Sequence, residues 1–148
     1  MTLTVAPGDP AEATDLLHAS HALMQSLFPA ESNHYMSIEA LTAPNIRFLI
    51  AREDGAQLGC GALAIKDGYG ELKSMFVAPD ARGRGIAEAL IVQLETIART
   101  EGVETLRLET GNLLHAAHRL YERHGFIRRG PFGDYADDPL SVFMEKPL

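Results

Sequence analysis

The segment from Phe76 to Gly102, "FVAPDARGRGIAEALIVQLETIARTEG", constrains the fold more than any other part of this chain of 148 residues. An apolar run stops at a proline, two glycines alternate with two arginines, and a long amphipathic run follows. The pattern predicts a strand, a tight glycine turn and a helix that ends at Gly102, which is typical of an α/β chain. The apolar face of this helix comprises Ile86, Leu90, Leu94, Ile97 and Ala98.

The glycine turn has the composition of an anion-binding site. The first N–H groups of a helix have no partner within the helix, and the helix dipole adds partial positive charge there. Gly83 and Gly85 allow the backbone to approach a ligand, and Arg82 and Arg84 can add charge-assisted hydrogen bonds. The turn lacks the Gly-Lys-Ser/Thr of a P-loop, and Glu88 stands where a dinucleotide fingerprint needs a small residue. These two differences disfavour an ATP- or NAD-binding domain.

The remainder of the chain predicts a mixed sheet with helices in one domain, residues 1–148. The N-terminal "TLTV" alternates as a strand, and a first helix, a polar loop and a short second helix (within 29–41) follow. Three strands come next, separated by the hairpin turns Asp54-Gly55 and Asp67-Gly68. The predicted class is α/β with a mixed α+β sheet, in the order β-α-α-β-β-β-α-β-α-β-β.

The distribution of charge favours a small anionic ligand over a polyanion. The net charge is −7, which argues against a nucleic-acid partner. Residues 82–129 nevertheless contain eight arginines and six glutamates, so this segment is locally basic. No apolar run approaches the ~20 residues that cross a bilayer, and the N-terminus lacks the features of a signal peptide. With Cys60 as the single cysteine, these features predict a cytoplasmic protein without a membrane partner.

Two motifs in this sequence occur in a fixed order. Residues 82–87 read Arg/Gln-x-x-Gly-x-Gly/Ala, and "LYERHGF" (120–126) reads Leu-Tyr-x-x-x-Gly-Phe. Together they resemble the acetyl-CoA loop and a later helix of the GNAT (Gcn5-related) N-acetyltransferase superfamily. The order of elements matches that family over nearly the whole chain, and "PAESNH", "GELKSM" and "PFGDYADDPLSVFM" are similar to its small bacterial YsnE-like branch. The resemblance implies an acyltransferase that moves an acetyl group from acetyl-CoA to an amine, by direct transfer in a ternary complex.

The resemblance also implies where coenzyme A binds. It places the pyrophosphate at the glycine turn and the pantetheine arm along the main chain of the fourth strand, as a peptide adds to a sheet edge. A backbone N–H where the sheet splays would stabilise the oxyanion. The predicted cofactor-binding residues are Met75, Phe76, Val77, Arg82, Gly83, Arg84, Gly85, Ile86 and Ala87. Many family members carry Asn seven residues before the tyrosine, whereas this chain has Leu114 there and Asn112 nearby.

Acetyl transfer to an amine needs a proton acceptor for the ammonium and a proton donor for the leaving thiolate. The resemblance places Tyr121 beside the sulfur, and a tyrosine hydroxyl can donate to a forming thiolate without being ionised at rest. Glu71 matches the fourth-strand glutamate that accepts the proton in several branches. Tyr121 and Glu71 are therefore the predicted catalytic residues. The competing interpretation of Tyr121 is an aromatic side chain packed within a helix, and that of Glu71 is a glutamate at a strand end that faces solvent.

The resemblance implies that the loop between the first two helices covers the acceptor, and the loop before the last strand is a second candidate for contact with it. These loops contribute Glu31 and His34, between the first two helices, and Tyr135, before the last strand. The acceptor is expected to be an amine of a small molecule or peptide, and amino acids, polyamines, peptide termini, antibiotics and small aromatic amines are all left open.

A non-catalytic acyl-CoA-binding or sensing module on the same fold is the alternative function. The histidine pairs at 18 and 21 and at 115 and 118 lack a third ligand at a signature spacing, so they predict solvent-facing side chains and no metal. The last strands of this fold often pair between subunits, which leaves a homodimer open.

Overall fold

A computed structural model describes residues 2–148, which form one seven-stranded sheet and three α-helices. The strands are β1 Leu3–Pro7, β2 Ile46–Glu53, β3 Ala56–Lys66, β4 Tyr69–Val77, β5 Thr105–Gly111, β6 Ile127–Arg129 and β7 Ser141–Pro147. The helices are α1 Thr14–Leu27, α2 Ile86–Thr100 and α3 His115–Arg123. The strand order is β1-β2-β3-β4-β5-β7-β6, which confirms the predicted mixed α/β class. Within residues 2–148, no helix has the length and apolar character that spanning a membrane requires.

Turn chemistry and one crossover set the sheet topology. Strands β1 to β4 pair antiparallel, and Asp54 (φ 52°) and Gly55 (φ 83°) form the positive-φ turn that joins β2 to β3. β4 and β5 are parallel, which requires a crossover, and α2 provides it. β7 then inserts between β5 and β6 and pairs antiparallel with both. The sheet therefore contains a single parallel pair, β4 with β5, near its centre.

The second predicted helix, within residues 29–41, is not an α-helix. This segment contains two 3-10 turns, Ala30–Ser32 and Ala40–Thr42, joined by irregular backbone. Local side-chain hydrogen bonds compete with a helix here: the Ser37 hydroxyl accepts from the Ala40 N–H at 3.0 Å, and the Asn33 amide donates to the Phe28 carbonyl at 3.3 Å. The connection between α1 and β2 is therefore a loop rather than a helix.

A β-bulge in β4 changes which face of the sheet its side chains occupy. Leu72 packs into the core formed with α2, whereas Phe76 packs into the core formed with α1. Residues four apart share a face in a regular strand, so one extra residue must lie between these two. Two residues of β4 oppose Gly61 of β3, and Ser74 has φ 56° at this point. The bulge lies directly beside the end of the β4–β5 ladder.

Candidate active site

The glycine turn ends in an uncapped helix N-terminus. Gly83 and Gly85 have φ values of 79° and 77°, in the region that L side chains rarely adopt. A Cβ atom at either position would meet nothing within 4 Å, so glycine is required here by conformation and not by crowding. Gly85 is the N-cap residue, and no side chain caps the helix. The first N–H groups of α2 are thus available to an anionic ligand.

A groove of about 340 Å³ lies between this turn and α3. Val77 and five of the six predicted turn residues line it: Arg82, Gly83, Gly85, Ile86 and Ala87. α3 supplies the opposite wall, and its contribution was not predicted from the sequence: Ala116, Ala117, Leu120 and Arg123. The sequence did contain a signal for this wall, because Leu120 belongs to the Leu-Tyr-x-x-x-Gly-Phe motif.

The two arginines of the turn have different surroundings. Arg82 lines the groove, donates from Nε to the Val77 carbonyl at 3.2 Å, and lies over the Phe76 ring at 5.7 Å. Arg84 lies outside the groove lining and forms an ion pair with Glu53 at 2.6 Å. Arg82 is therefore the better placed of the two to reach a bound anion.

The central strands separate beyond the groove. The β4–β5 ladder ends at the pair Leu72 and Leu108, although β4 continues to Val77 and β5 to Gly111. Beyond Leu72, the β5-facing side of β4 has no strand partner. This splay and the bulge at Ser74 together leave β4 main chain available to a ligand. The predicted oxyanion residues lie here, with Met75 at the splay and Phe76 one residue further on.

A cavity of about 110 Å³, hereafter the catalytic cavity, lies at the splay. Tyr121 of α3 lines it and is only 6% exposed, and burial raises the pKa of its hydroxyl. Within residues 2–148 the hydroxyl makes no hydrogen bond, so it can donate to a ligand. Its ring packs edge-on against Phe126 at 5.6 Å and belongs to the α2-side core. The acid predicted from the sequence therefore reaches the splay from the α2 face of the sheet.

Glu109 of β5 lines the same cavity and was not among the predicted site residues. Burial is the main cause that raises the pKa of its carboxyl, whereas the Ser141 hydroxyl, which donates to Glu109 at 2.8 Å, opposes that rise. Leu106 and Leu108 pack into the α2-side core, so alternation along β5 turns Glu109 toward the α1 face. The sequence signal for this orientation was the alternation of "TLRLE", the same pattern that predicts the strand.

Glu71, the base predicted from the sequence, is 4% exposed and does not face solvent. It accepts a hydrogen bond from the Tyr135 hydroxyl at 2.5 Å and lies 3.5 Å from the ammonium of Lys73. Lys73 also donates to the Tyr135 hydroxyl at 2.9 Å and to the His34 carbonyl at 2.8 Å. Glu71 lines a second cavity of about 550 Å³, hereafter the outer cavity, and not the catalytic cavity.

The predicted substrate residues are not all brought together. His34 lines both cavities and Tyr135 lines the outer one, with their rings edge-to-face at 5.1 Å. Glu31 lies exposed in a 3-10 turn and lines neither cavity. Its neighbour Ser32 lines the catalytic cavity and donates to Asp138 at 2.6 Å, which joins the two loops.

Two residues near the end of β5 bear on the departure from the family pattern. Leu114, at the position of the usual asparagine, lines the catalytic cavity as an apolar side chain. Asn112 donates its backbone N–H to the Leu140 carbonyl at 2.8 Å, which fixes it against the loop before β7. Asn112 lines neither the groove nor the catalytic cavity.

Cys60 and the paired histidines were predicted to have no catalytic role. Cys60 is fully buried, and burial raises the pKa of its thiol to about 12, so it is a packing residue. The prediction that the paired histidines face solvent is wrong for His118, which is 4% exposed and hydrogen-bonds through Nε2 to the Gly111 carbonyl at 2.9 Å. It orders the turn between β5 and α3. In the described part of the chain, no three His, Cys, Asp or Glu side chains cluster as metal ligands would.

Comparison with known proteins gives a consistent result. The model of the acetyltransferase (GNAT) family matches residues 15–126. An IAA acetyltransferase of Azospirillum brasilense is 46% identical over 150 residues, which cover 99% of this chain and 98% of that protein. The uncharacterised N-acetyltransferase YsnE of Bacillus subtilis (strain 168) is 40% identical, over 84% of this chain and 85% of that protein. A Klebsiella pneumoniae crystal structure assigned as an acyl-CoA N-acyltransferase superposes with a TM-score of 0.84 at 37% identity, over 99% of this chain and 98% of that chain.

Proposed function

Because the chain belongs to the GNAT acetyltransferase family and is an acyltransferase, we propose that it transfers an acetyl group from acetyl-CoA to the amine of a small molecule or peptide. Transfer is direct, within a ternary complex. One observation carries the proposal: Tyr121 and Glu109 reach the same cavity from opposite faces of the sheet, where β4 and β5 separate. Direct transfer needs this arrangement, because the thiol leaves on one side and the amine enters from the other.

Acetyl-CoA, as donor substrate, fits the groove beside α2. The uncapped first turn of α2 and the guanidinium of Arg82 offer positive charge to the pyrophosphate. The unpaired edge of β4 beyond Leu72 offers main-chain groups to the pantetheine arm. Arg123 pairs with Glu88 at 3.4 Å at the rim of the groove, so the acidic residue in the first turn is partly neutralised. These features support binding of the pyrophosphate in the groove. The unpaired edge of β4 leads from the groove to the splay, where the thioester would lie.

Glu109 acts as the proton acceptor in this proposal. A primary alkyl ammonium has a pKa near ~10, so a base must remove its proton before the nitrogen can attack. Glu109 lines the catalytic cavity, and its raised pKa makes it a stronger base than an exposed carboxylate. Glu71 lies outside that cavity, with its carboxylate already hydrogen-bonded to Tyr135. Glu71 stays the alternative base, and the two residues are separated experimentally below.

The proton balance closes with these residues. The nitrogen attacks the thioester carbonyl, the C–N bond forms, and the C–S bond breaks. The nitrogen loses two protons in all, the first to Glu109 and the second as the amide forms. Tyr121 gives its proton to the leaving thiolate, and the proton that the nitrogen loses as the amide forms restores the Tyr121 hydroxyl. The proton taken up earlier by Glu109 leaves to solvent. A backbone N–H at the bulge, near Met75, stabilises the developing oxyanion.

Amine-dependent release of free thiol from acetyl-CoA tests the function. We expect the wild-type protein to release thiol with at least one amine of a broad panel, and Tyr121→Phe to lower kcat about 10²-fold or more, as for loss of a general acid. Acetyl-CoA affinity, measured by calorimetry, should hardly change, because the ground-state thioester needs no proton. Tight acetyl-CoA binding without turnover on any amine would instead favour a non-catalytic acyl-CoA sensor. A Tyr121→Phe variant with wild-type kcat would exclude this residue from the chemistry.

A further inference from the structure

The catalytic cavity and the outer cavity are neighbours that share one wall. His34, Tyr35 and Lys73 line both of them, whereas Tyr135 lines only the outer cavity. The catalytic cavity, at about 110 Å³, is well below the ~300–1,000 Å³ of ordinary small-molecule pockets, and the outer cavity, at about 550 Å³, lies within that range. The catalytic cavity is large enough for the reacting groups, and the remainder of the acceptor molecule needs the outer cavity.

Tyr135 is held rigidly beside this shared wall, on the side of the outer cavity. Its hydroxyl donates to Glu71 at 2.5 Å and accepts from Lys73 at 2.9 Å. Its ring packs edge-on against Phe132 at 5.1 Å and Phe143 at 5.5 Å. The buried Glu71 carboxylate therefore has a use apart from catalysis, since it anchors a ring of the outer cavity that contacts His34 and Lys73 of the shared wall.

The lining of the outer cavity favours an aromatic ligand. Its walls include the rings of Tyr35, Tyr69, Tyr135 and His34. Its charges nearly cancel: three carboxylates and two ammonium groups line it, and one of each, Glu71 and Lys73, form a pair. Ring surfaces thus dominate selectivity, because aromatic pairs gain attraction beyond their buried area.

We propose that the outer cavity binds the ring of a primary arylalkylamine, whose short arm carries the amine past Tyr135 into the catalytic cavity, and that Tyr135 limits the size of that ring. This inference rests on the proposed function and narrows its acceptor class. It gives Tyr135 the role of a specificity-determining residue and Glu71 the role of its positioning residue.

Two amines of equal length and similar size test the aromatic preference in the wild-type protein. 2-Phenylethylamine and 2-cyclohexylethylamine differ in the π-system of the ring and carry the same amine arm. We expect kcat/KM to be about 2- to 12-fold higher for the phenyl compound, the gain typical of an aromatic pair. Equal values, or turnover of other amines on the panel with neither of these two, would overturn the inference and leave the acetyltransferase proposal intact. No thiol release with any amine would count against both.

Variants at Tyr135 test the size limit. Tyr135→Ala should raise the kcat/KM ratio of 2-(1-naphthyl)ethylamine to 2-phenylethylamine about 10-fold, whereas Tyr135→Phe keeps the ring and should keep the ratio. Ile127→Ala, on the exposed edge strand β6 and outside both cavities, is the matched truncation and should also keep it. An unchanged ratio in Tyr135→Ala, with acetyl-CoA affinity intact, would overturn the size limit. The wild-type comparison does not depend on how these variants fold.

Discussion

The groove beside α2 is walled by two helices and a turn, whereas the outer cavity is walled by two irregular loops and the end of a hairpin. One side of the groove comes from a short stretch of sequence, residues 77–88, in which Gly83 and Gly85 are required by their positive φ values. The outer cavity collects His34, Glu71 and Tyr135, which lie far apart in the chain. A pyrophosphate can be bound mainly by backbone N–H groups, so a short sequence motif is enough to form its site. An acceptor is bound by side chains, which only the tertiary structure brings together.

In the proposed reaction, the donor side and the acceptor side therefore use distinct kinds of residue. On the donor side, main-chain groups and Arg82 of the turn face the groove, with Arg123 of α3 on the opposite wall. On the acceptor side, a buried glutamate, a lysine and a tyrosine hold one another in place. We therefore expect donor-side changes to act on acetyl-CoA affinity, and acceptor-side changes to act on the KM or identity of the amine.

The largest effect should separate the two candidate bases. Glu109→Gln should lower kcat about 10²-fold or more, because it removes the proton acceptor from the catalytic cavity. Glu71→Gln should act mainly on the amine KM, since it weakens the bonds that hold Tyr135 and Lys73. Steady-state kinetics with the best amine of the panel measure both.

The pH dependence gives an independent criterion for the same pair. A base works only when deprotonated, so activity should fall as pH drops through the pKa of Glu109, which burial raises above that of an ordinary glutamate. Glu109→Gln should abolish this acidic limb, and Glu71→Gln should retain it. Loss of the limb in Glu71→Gln alone would return the base role to Glu71. The raised pKa of Tyr121 keeps the acid protonated through neutral pH, so any limb due to it lies at high pH.

The fold and the turn that lines the groove beside α2 could be predicted from the sequence because their signals are local. Alternation, hairpin turns and the glycine-arginine motif each depend on residues within a few positions of one another. The acceptor side could not, because its main contact joins residues 64 positions apart, Tyr135 to Glu71. The bulge at Ser74 was equally hidden, since serine carries no signal for a φ of 56°. Glu109 was within reach: the alternation of β5 turns it away from the core, beside β4.

An intermediate effect should distinguish the two arginines of the turn. Arg82→Ala should weaken acetyl-CoA binding about 10- to 150-fold, the loss expected for one charge-assisted hydrogen bond. Arg84→Ala should change it about 5-fold at most, because Arg84 lies outside the groove lining and its loss removes an ion pair with Glu53 rather than a contact to the ligand. Calorimetry with acetyl-CoA measures both, and equal losses in the two variants would bring Arg84 into the binding site.

The smallest effect concerns the contact between the two acceptor-side loops. The hydroxyl of Ser32 donates to Asp138, and this bond, followed by the Leu140 N–H, holds the pKa of the Asp138 carboxyl below its usual value. Its contribution is present above the ordinary carboxyl pKa and is lost as pH falls through the lowered value. Ser32→Ala should raise the pKa of Asp138, measured by carbon NMR, without returning it fully, because the Leu140 bond is kept.

The control for this contact is Ser26→Ala, since Ser26 donates only within α1, to the Leu23 carbonyl. Hydrogen exchange in residues 29–34 and 134–140 should quicken in Ser32→Ala and not in the control, because one of the bonds that join these loops is lost. Acetyl-CoA affinity should match the wild type in both variants, since neither serine lines the groove. A large loss of acetyl-CoA affinity in Ser32→Ala would mean that the two sides of the splay are not independent, and the division between donor and acceptor side would fail.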